Sequence, residues 1–354
     1  MIRFILIAIF VCYGSIANPQ TNPIRTAVPF LLIPPDTRAG GMGDVGAATT
    51  PDIQSMHWNP AKYAFISGKS GISLNYTPWL KKLIDDIRLV QLAGYRQISE
   101  FETLAGSVKY YSLGKVEFTD QEGNPMLNYT PNEFSLDAAY IRKIADRLSL
   151  SVTFRYIHSG VGAGDFLKGE AQPGNAIAAD VGVYYIKPIL SGNRDSQIAF
   201  GLLLSNLGTS MEYGAQSYFL PTNLRIGTAY TLHYDDKNEL TLALDLNKLL
   251  IPLSSSGSSL QRAIFSSFSD APGGFSEEMQ EINISFGLEW LIGNVFALRG
   301  GYFYSHPKKE DRRYFTMGAG IHYRKIVFDL SYLISTQLRN PLNNTIRVGI
   351  GYNF

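Results

Sequence analysis

The chain has 354 residues, 45% of them hydrophobic and 17% charged, with 33 Gly, 21 Tyr and 20 Phe, so strand and turn formers outweigh the Glu, Lys and Ala that helical proteins favour. A net charge of +1 supplies no basic face for nucleic acid, and the one cysteine, Cys12, leaves no disulfide and no cysteine-held metal site. The length accommodates two average soluble domains or one large barrel, and the composition favours the barrel.

Residues 1–17 read as an export signal: Arg3, the apolar run FILIAIFVCYG, then SIA ending at Ala17. That run is shorter than the roughly 20 residues a spanning helix needs, and the bulky residues before Cys12 argue against a lipid anchor. No later stretch does better, since the best, IAFGLLLSNL at 198–207, is broken by Gly201. An exported chain of this kind enters a membrane only as a closed barrel, because lipid offers the backbone no hydrogen-bond partner.

Residues 18–69 do not alternate; they are rich in Gly, Pro and small residues, with short helices expected around 40–48 and 52–66. Having no place in a barrel wall, and a start on the periplasmic side, they are expected to fold up into the lumen as a hatch or plug. Gly41-Met-Gly43-Asp-Val-Gly46 spells a dinucleotide fingerprint, but Pro34 and Pro35 stand where its strand should lead in, and no βαβ pattern follows. The glycines suit close packing on the lumen wall instead. Arg38, Gly40, Gly41, Gly43, Asp44, Trp58, Asn59 and Pro60 are the residues expected to pack the hatch.

From residue 70 the chain settles into fourteen alternating segments, at about 70–78, 86–97, 101–111, 133–143, 147–158, 176–186, 196–206, 222–233, 238–248, 281–291, 294–304, 313–323, 325–334 and 345–354. The fold predicted is all-β: a fourteen-stranded antiparallel outer-membrane barrel over 70–354, its strand number even as single-chain barrels require. Connections after strands two, four, eight, ten and twelve are tight, whereas those after three, five, seven and nine are long. Such asymmetry separates periplasmic turns from extracellular loops and puts both termini on the periplasmic side.

The charges Asp137, Arg155, Asp180, Arg225, Asp245, Glu289, Arg299, Asp329 and Arg347 lie on the parity opposite the apolar set of their strands. An Arg facing lipid at the midplane would cost about 2–4 kcal/mol, so these belong in the lumen as salt bridges. Tyr76, Trp79, Tyr95, Tyr234, Trp290, Tyr304 and Tyr323 are candidates for interfacial girdles. The last strand ends on Phe354, an apolar terminus expected to act as a barrel-assembly signal.

Two long loops carry aromatic and apolar residues suited to partner recognition: Tyr218, Phe219 and Leu220 in one, Phe265, Phe268 and Phe275 in the other. Catalysis is not expected. The only nucleophile–histidine neighbours are His158–Ser159 and Ser305–His306, and adjacent strand residues point to opposite faces. The histidines lack metal-ligand spacing, and no cofactor is expected.

The segment PFLLIPPDTRAGGMGDVGAATTPDIQSMHWNPAKYA resembles the N-terminal signature of the PorV family, outer-membrane barrels of the Bacteroidetes type IX secretion system, and GISLNYTPWL (71–80) and FRYIHSGVGAG (154–164) extend the likeness. GMGDVGAA and WNPA are similar to elements of the wider FadL-like long-chain fatty acid transporter superfamily, fourteen-stranded barrels with an N-terminal hatch. The resemblance implies residence among outer-membrane lipid and association with the large type IX translocon barrel. It implies that secreted cargo is bound by its C-terminal domain and shuttled to the surface attachment complex of the PorU-type sortase. The alternative is a transporter of hydrophobic small molecules, which a kinked strand would favour; GYRQISEF and FGLLLSNLG show no obvious break.

Overall fold

The computed structural model describes residues 26–81, 84, 86–119, 125–161, 173–191, 194–214, 216–252, 260–337 and 340–354. The expected export signal, Cys12 and the Ser-rich stretch 253–259 lie outside them.

Alternation translates directly into a wall. In chain order the strands are β1 (Ser70–Pro78), β2 (Arg88–Gln97), β3 (Glu102–Ser112), β4 (Val116–Thr119), β5 (Pro125–Tyr129), β6 (Asn132–Ala145), β7 (Leu148–Ser159), β8 (Gly174–Ser191) and β9 (Arg194–Gly208). They continue as β10 (Met211–Tyr213), β11 (Gln216–Tyr218), β12 (Asn223–Asp235), β13 (Asn238–Leu249), β14 (Asn283–Ile292), β15 (Phe296–Tyr304), β16 (Arg313–Tyr323), β17 (Ile326–Ser335) and β18 (Thr345–Asn353). Fourteen close into one antiparallel barrel, the seam being β1 against β18 with Ile72 opposite Tyr352. β4–β5 and β10–β11 are separate hairpins within loops, and the loop after β13 carries two short helices, Leu260–Ser266 and Phe275–Gln280; none of these was expected. No helix among the described residues is long and apolar enough to cross a membrane.

One parity of each strand points outward and is apolar, as β14 shows with Ile284, Phe286, Leu288 and Trp290 exposed while Ser285 and Glu289 are buried. Closure satisfies the backbone and leaves no edge, and the bare apolar exterior is what a lipid surround requires. Two of the expected girdle aromatics break this pattern: Trp79 and Tyr95 are buried inside. On β2 both faces are apolar, because the inner face packs against another part of the chain, so parity alone could not assign Tyr95.

All the tight turns lie at one end, including one between β8 and β9, which extend to Ser191 and Arg194. Gly293 and Asn294 both have positive φ (64° and 57°) at the centre of the turn that the Val295 N–H closes on the Ile292 carbonyl (3.1 Å) in the β14–β15 hairpin. The opposite end gathers the longer loops. The β6–β7 and β12–β13 registers shift only beside their tight turns, at Lys143/Ala145 and His233/Asp235, whereas the β8–β9 register shifts within the wall, between Ala179 and Val181, where Asn206 on β9 takes a left-handed φ of 59°. FGLLLSNLG therefore does contain an interior break, a β-bulge that Asn tolerates better than most residues.

Candidate functional site

The lumen is filled by the N-terminal segment, which threads it from end to end. At the long-loop end the Ala27 N–H donates to the Phe219 carbonyl (2.9 Å), and Phe30 stacks on Tyr111 with ring centres 6.2 Å apart. At the short-turn end Tyr63 stacks on Tyr95 (5.0 Å), and the Gln97 N–H donates to the Lys69 carbonyl (2.8 Å). The described chain thus starts at the long-loop end, opposite Phe354, whose N–H donates to Ser70 (2.9 Å). From there the segment descends through the barrel before β1 climbs back.

The segment is mostly turns. A single helical turn, Thr37–Gly40, is capped by Asp36, whose carboxylate accepts from the Arg38 N–H (2.8 Å) and the Trp58 indole (2.7 Å). A 3-10 stretch, Pro60–Phe65, is capped by Asn59, with Pro60 at its first position. The helices expected at 40–48 and 52–66 do not form as such. Four glycines between 40 and 46 deprive the first of helix propensity, and Gly43 takes a φ of 71°.

These glycines are where two backbones meet. A Cβ on Gly43 would lie 2.6 Å from the Tyr302 nitrogen, and one on Gly41 would lie 2.9 Å from the Gly318 Cα. From the wall, a Cβ on Gly287 or Gly301 would lie 2.5 or 2.6 Å from the Met42 carbonyl oxygen. Small residues on β14, β15 and β16 thus form a bed into which Gly41–Gly43 sinks, and the Gly43 N–H donates to Thr316 (2.7 Å).

Charges fix the segment above that bed. Arg38 reaches Glu289 (Nε–Oε2 2.9 Å) and Asp52 (2.5 Å), while Glu289 also accepts from Arg299 (2.6 Å), which continues to Asp329 (2.6 Å). Arg347 pairs with Asp44, which also accepts from the Tyr314 hydroxyl (2.6 Å). Asp245 accepts from the Gly46 and Ala47 N–H groups at 2.8 and 2.9 Å. Arg155 joins Asp137 (2.7 Å) and Asp180 (3.0 Å), and the Asn206 N–H at the bulge donates to Asp180 (2.7 Å). Arg225 lies over the Trp58 ring, 4.5 Å from its centre. All nine mid-strand charges therefore point inward, and Arg38, Asp44, Trp58 and Asn59 touch the wall; the Asn59 amide donates to Val183 (2.9 Å). Sequence reasoning missed Asp36 and Thr37, although PDTR has the form of a helix N-cap. It also missed Lys62, buried and donating to the Gly46 carbonyl (3.0 Å).

At the long-loop end an apolar cluster of Val28, Phe30, Trp79, Tyr111, Leu220 and Leu342 covers the segment, beside a cavity of about 460 Å³. The helix Phe275–Gln280 is tied down there: Lys248 bonds Glu278 (2.9 Å) and Glu281 (2.6 Å), and Lys309 bonds Glu277 (2.7 Å) and Glu281 (3.0 Å). Burial opposes the charge on Lys309, but its bonds to Glu277 and Glu281 outweigh that and raise its pKa. Phe265, Phe268 and Phe275 stand exposed on this loop. Phe219 and Leu220 do not. Both are buried, Phe219 against Ile251 and Ala263, and Tyr218 is half-buried with its hydroxyl on Gln216 (2.5 Å). They roof the lumen and are unavailable to a partner.

The two nucleophile–histidine neighbours are not assembled. His158 stacks outside on Phe134 (5.0 Å), whereas Ser159 points inward and donates to Glu133 (2.7 Å). Ser305 is buried, and the His306 ring instead accepts from the Lys308 N–H (3.2 Å).

A closed fourteen-strand wall, apolar outside and lined inside by paired charges, defines an outer-membrane β-barrel. Residues 16–256 match the family described as Type IX secretion system protein PorV, and the chain belongs to that family. Among solved structures it is similar to the Pseudomonas putida toluene transporter TodX, at 11% identity and a TM-score of 0.51, covering 89% of this chain and 97% of that one. It is also similar to a TodX deltaS2S3 mutant monoaromatic hydrocarbon channel, with a TM-score of 0.54, 11% identity, and 90% and 98% of the two chains covered. The CymD monoaromatic hydrocarbon channel gives 0.50, 12%, and 90% and 97%. At these identities the likeness is one of fold. No curated protein sequence matches the chain.

Proposed function

We propose that this barrel is a type IX carrier: it takes secreted cargo by its C-terminal domain at the large translocon barrel and passes it to the surface attachment complex containing the PorU-type sortase. Residues 1–17 are the export signal, 18–69 the hatch and 70–354 the barrel. The observation that carries this reading is the filled lumen. With Met42, Trp58, Lys62 and Tyr63 almost wholly buried across its width, there is no passage for a folded protein, so cargo is held on the long-loop surface. The exposed Phe265, Phe268 and Phe275 are the contact residues proposed. A photo-crosslinking residue at Phe265 or Phe275 in cells should capture cargo C-terminal domains, and one at Leu220 should not. Capture at Leu220 but at neither phenylalanine would place the binding surface elsewhere.

In this reading the long loops are extracellular, the tight turns periplasmic, and Phe354 is the assembly signal. Cysteines are easily introduced, because the chain has none beyond Cys12. Ser217→Cys should label on intact cells with an impermeant maleimide and Lys237→Cys should not; the reverse pattern would invert the topology. The bulge at Asn206 favours the second reading, a FadL-like transporter of hydrophobic small molecules released sideways through the wall.

A further inference from the structure

Two cavities stand in line at the long-loop end. The upper, about 460 Å³, is walled by Phe30, Leu32, Trp79 and Tyr111. The lower, about 50 Å³, has room for one or two waters. They share Leu32, Leu249, Asn283, Glu310 and Arg312, so they form one shaft running from the mouth into the lumen. At the foot of the shaft is Arg225.

Arg225 differs from the other lumen arginines. It is only 8% exposed, yet no carboxylate of the described residues lies within ion-pair distance, whereas Arg38, Arg155, Arg299 and Arg347 each have one. Its contacts are the Asn247 side-chain oxygen (2.7 Å), two backbone carbonyls at 3.4 Å and the Trp58 ring. A buried cation without its anion is expensive. Asp44 also lines the lower cavity, but its charge is matched by Arg347 and Tyr314. Asp245, the carboxylate that acts on Arg225 most strongly, is held instead by the Gly46 and Ala47 N–H groups and stands beyond ion-pair distance, so Arg225 is a buried guanidinium with no direct carboxylate contact among the described residues.

We propose that the shaft receives the C-terminal residues of a protein partner and that Arg225 pairs with the terminal α-carboxylate. An apolar wall with a cation at its foot selects an anion on an apolar stem. The polar side chains of Asn283, Glu310 and Arg312 along the way select a stem with its own amide groups, since an acyl chain would strip them of water without replacing its hydrogen bonds. The proposal rests on the carrier reading and adds to it the chemistry by which cargo is recognised.

The test is fluorescence anisotropy with the purified full-length barrel in detergent. The probe is a dye-labelled peptide copying the last residues of a cargo C-terminal domain, prepared as free acid and as C-terminal amide. The amide should bind about tenfold or more weakly. Arg225→Met, checked for heat-modifiable folding, should lose the same factor and no longer distinguish acid from amide. Equal binding of acid and amide to the native barrel overturns the proposal, and needs no variant. If the intact cargo domain still binds in that case, the carrier reading stands without the shaft; if neither domain nor peptide binds, both fall. Dodecanoate binding that depends on Arg225, with acid and amide peptides alike, would make the shaft an amphiphile site and overturn the proposal.

Discussion

Gly301→Val should expose the N-terminal segment to protease and lower the temperature at which the compact, heat-modifiable barrel is lost. A Cβ at Gly301 would lie 2.6 Å from the Met42 carbonyl oxygen, and the obstacle is backbone, which cannot swing aside as a side chain would. Overpacking of a filled core costs about 1–3 kcal/mol and occasionally more, and here relief requires residues 41–46 to leave their bed. Arg38 and Lys62, at 9% and 1% exposure, should be poor trypsin sites in the native barrel and good ones in the variant. Gly300 is the control. It points outward, and a Cβ there would meet nothing within 4 Å, so Gly300→Val should change stability by no more than about 0.5 kcal/mol. Equal trypsin resistance of native and Gly301→Val barrels would mean that the glycine bed does not hold the segment.

Breaking the Asp44–Arg347 pair should have the second large effect. Both side chains are 2% exposed, and Asp44 is carried by the segment while Arg347 belongs to β18. Asp44→Asn leaves a buried guanidinium unmatched, and Arg347→Met leaves the carboxylate with only the Tyr314 hydroxyl. Each should cost about 3–5 kcal/mol. The double variant should lose clearly less than the sum, because no orphaned charge remains. Loss temperatures of the heat-modifiable form for the four proteins read this out; strictly additive losses would show that the pair does not couple segment to wall.

Much of this architecture was legible because a barrel states its rule in every strand. Fourteen alternating segments, nine inward charges and a run of small residues at 40–48 each follow from two-residue periodicity or from glycine. The expected strand boundaries fall within a few residues, apart from β8, which runs five residues beyond its expected end at 186 to Ser191. What periodicity could not supply was pairing at a distance. Arg38 and Glu289 are 251 positions apart, and nothing local in either announces the other. The direction of the N-terminal segment was equally hidden, because composition says that it fills the lumen without saying from which end. Phe219 and Leu220 read as apolar loop residues open to a partner and proved to be a roof, since burial of a loop depends on what lies beneath it. The bulge left only one mark, the polar pair Ser205–Asn206 inside an apolar strand.

The most direct test of the carrier reading is mass spectrometry of the proteins and lipids that co-purify with an epitope-tagged copy from gently solubilised outer membranes. A secretion carrier should bring down a giant outer-membrane barrel together with secreted proteins that share a C-terminal β-domain. A lone barrel carrying a stoichiometric hydrophobic small molecule would contradict the carrier reading and make the chain a transporter.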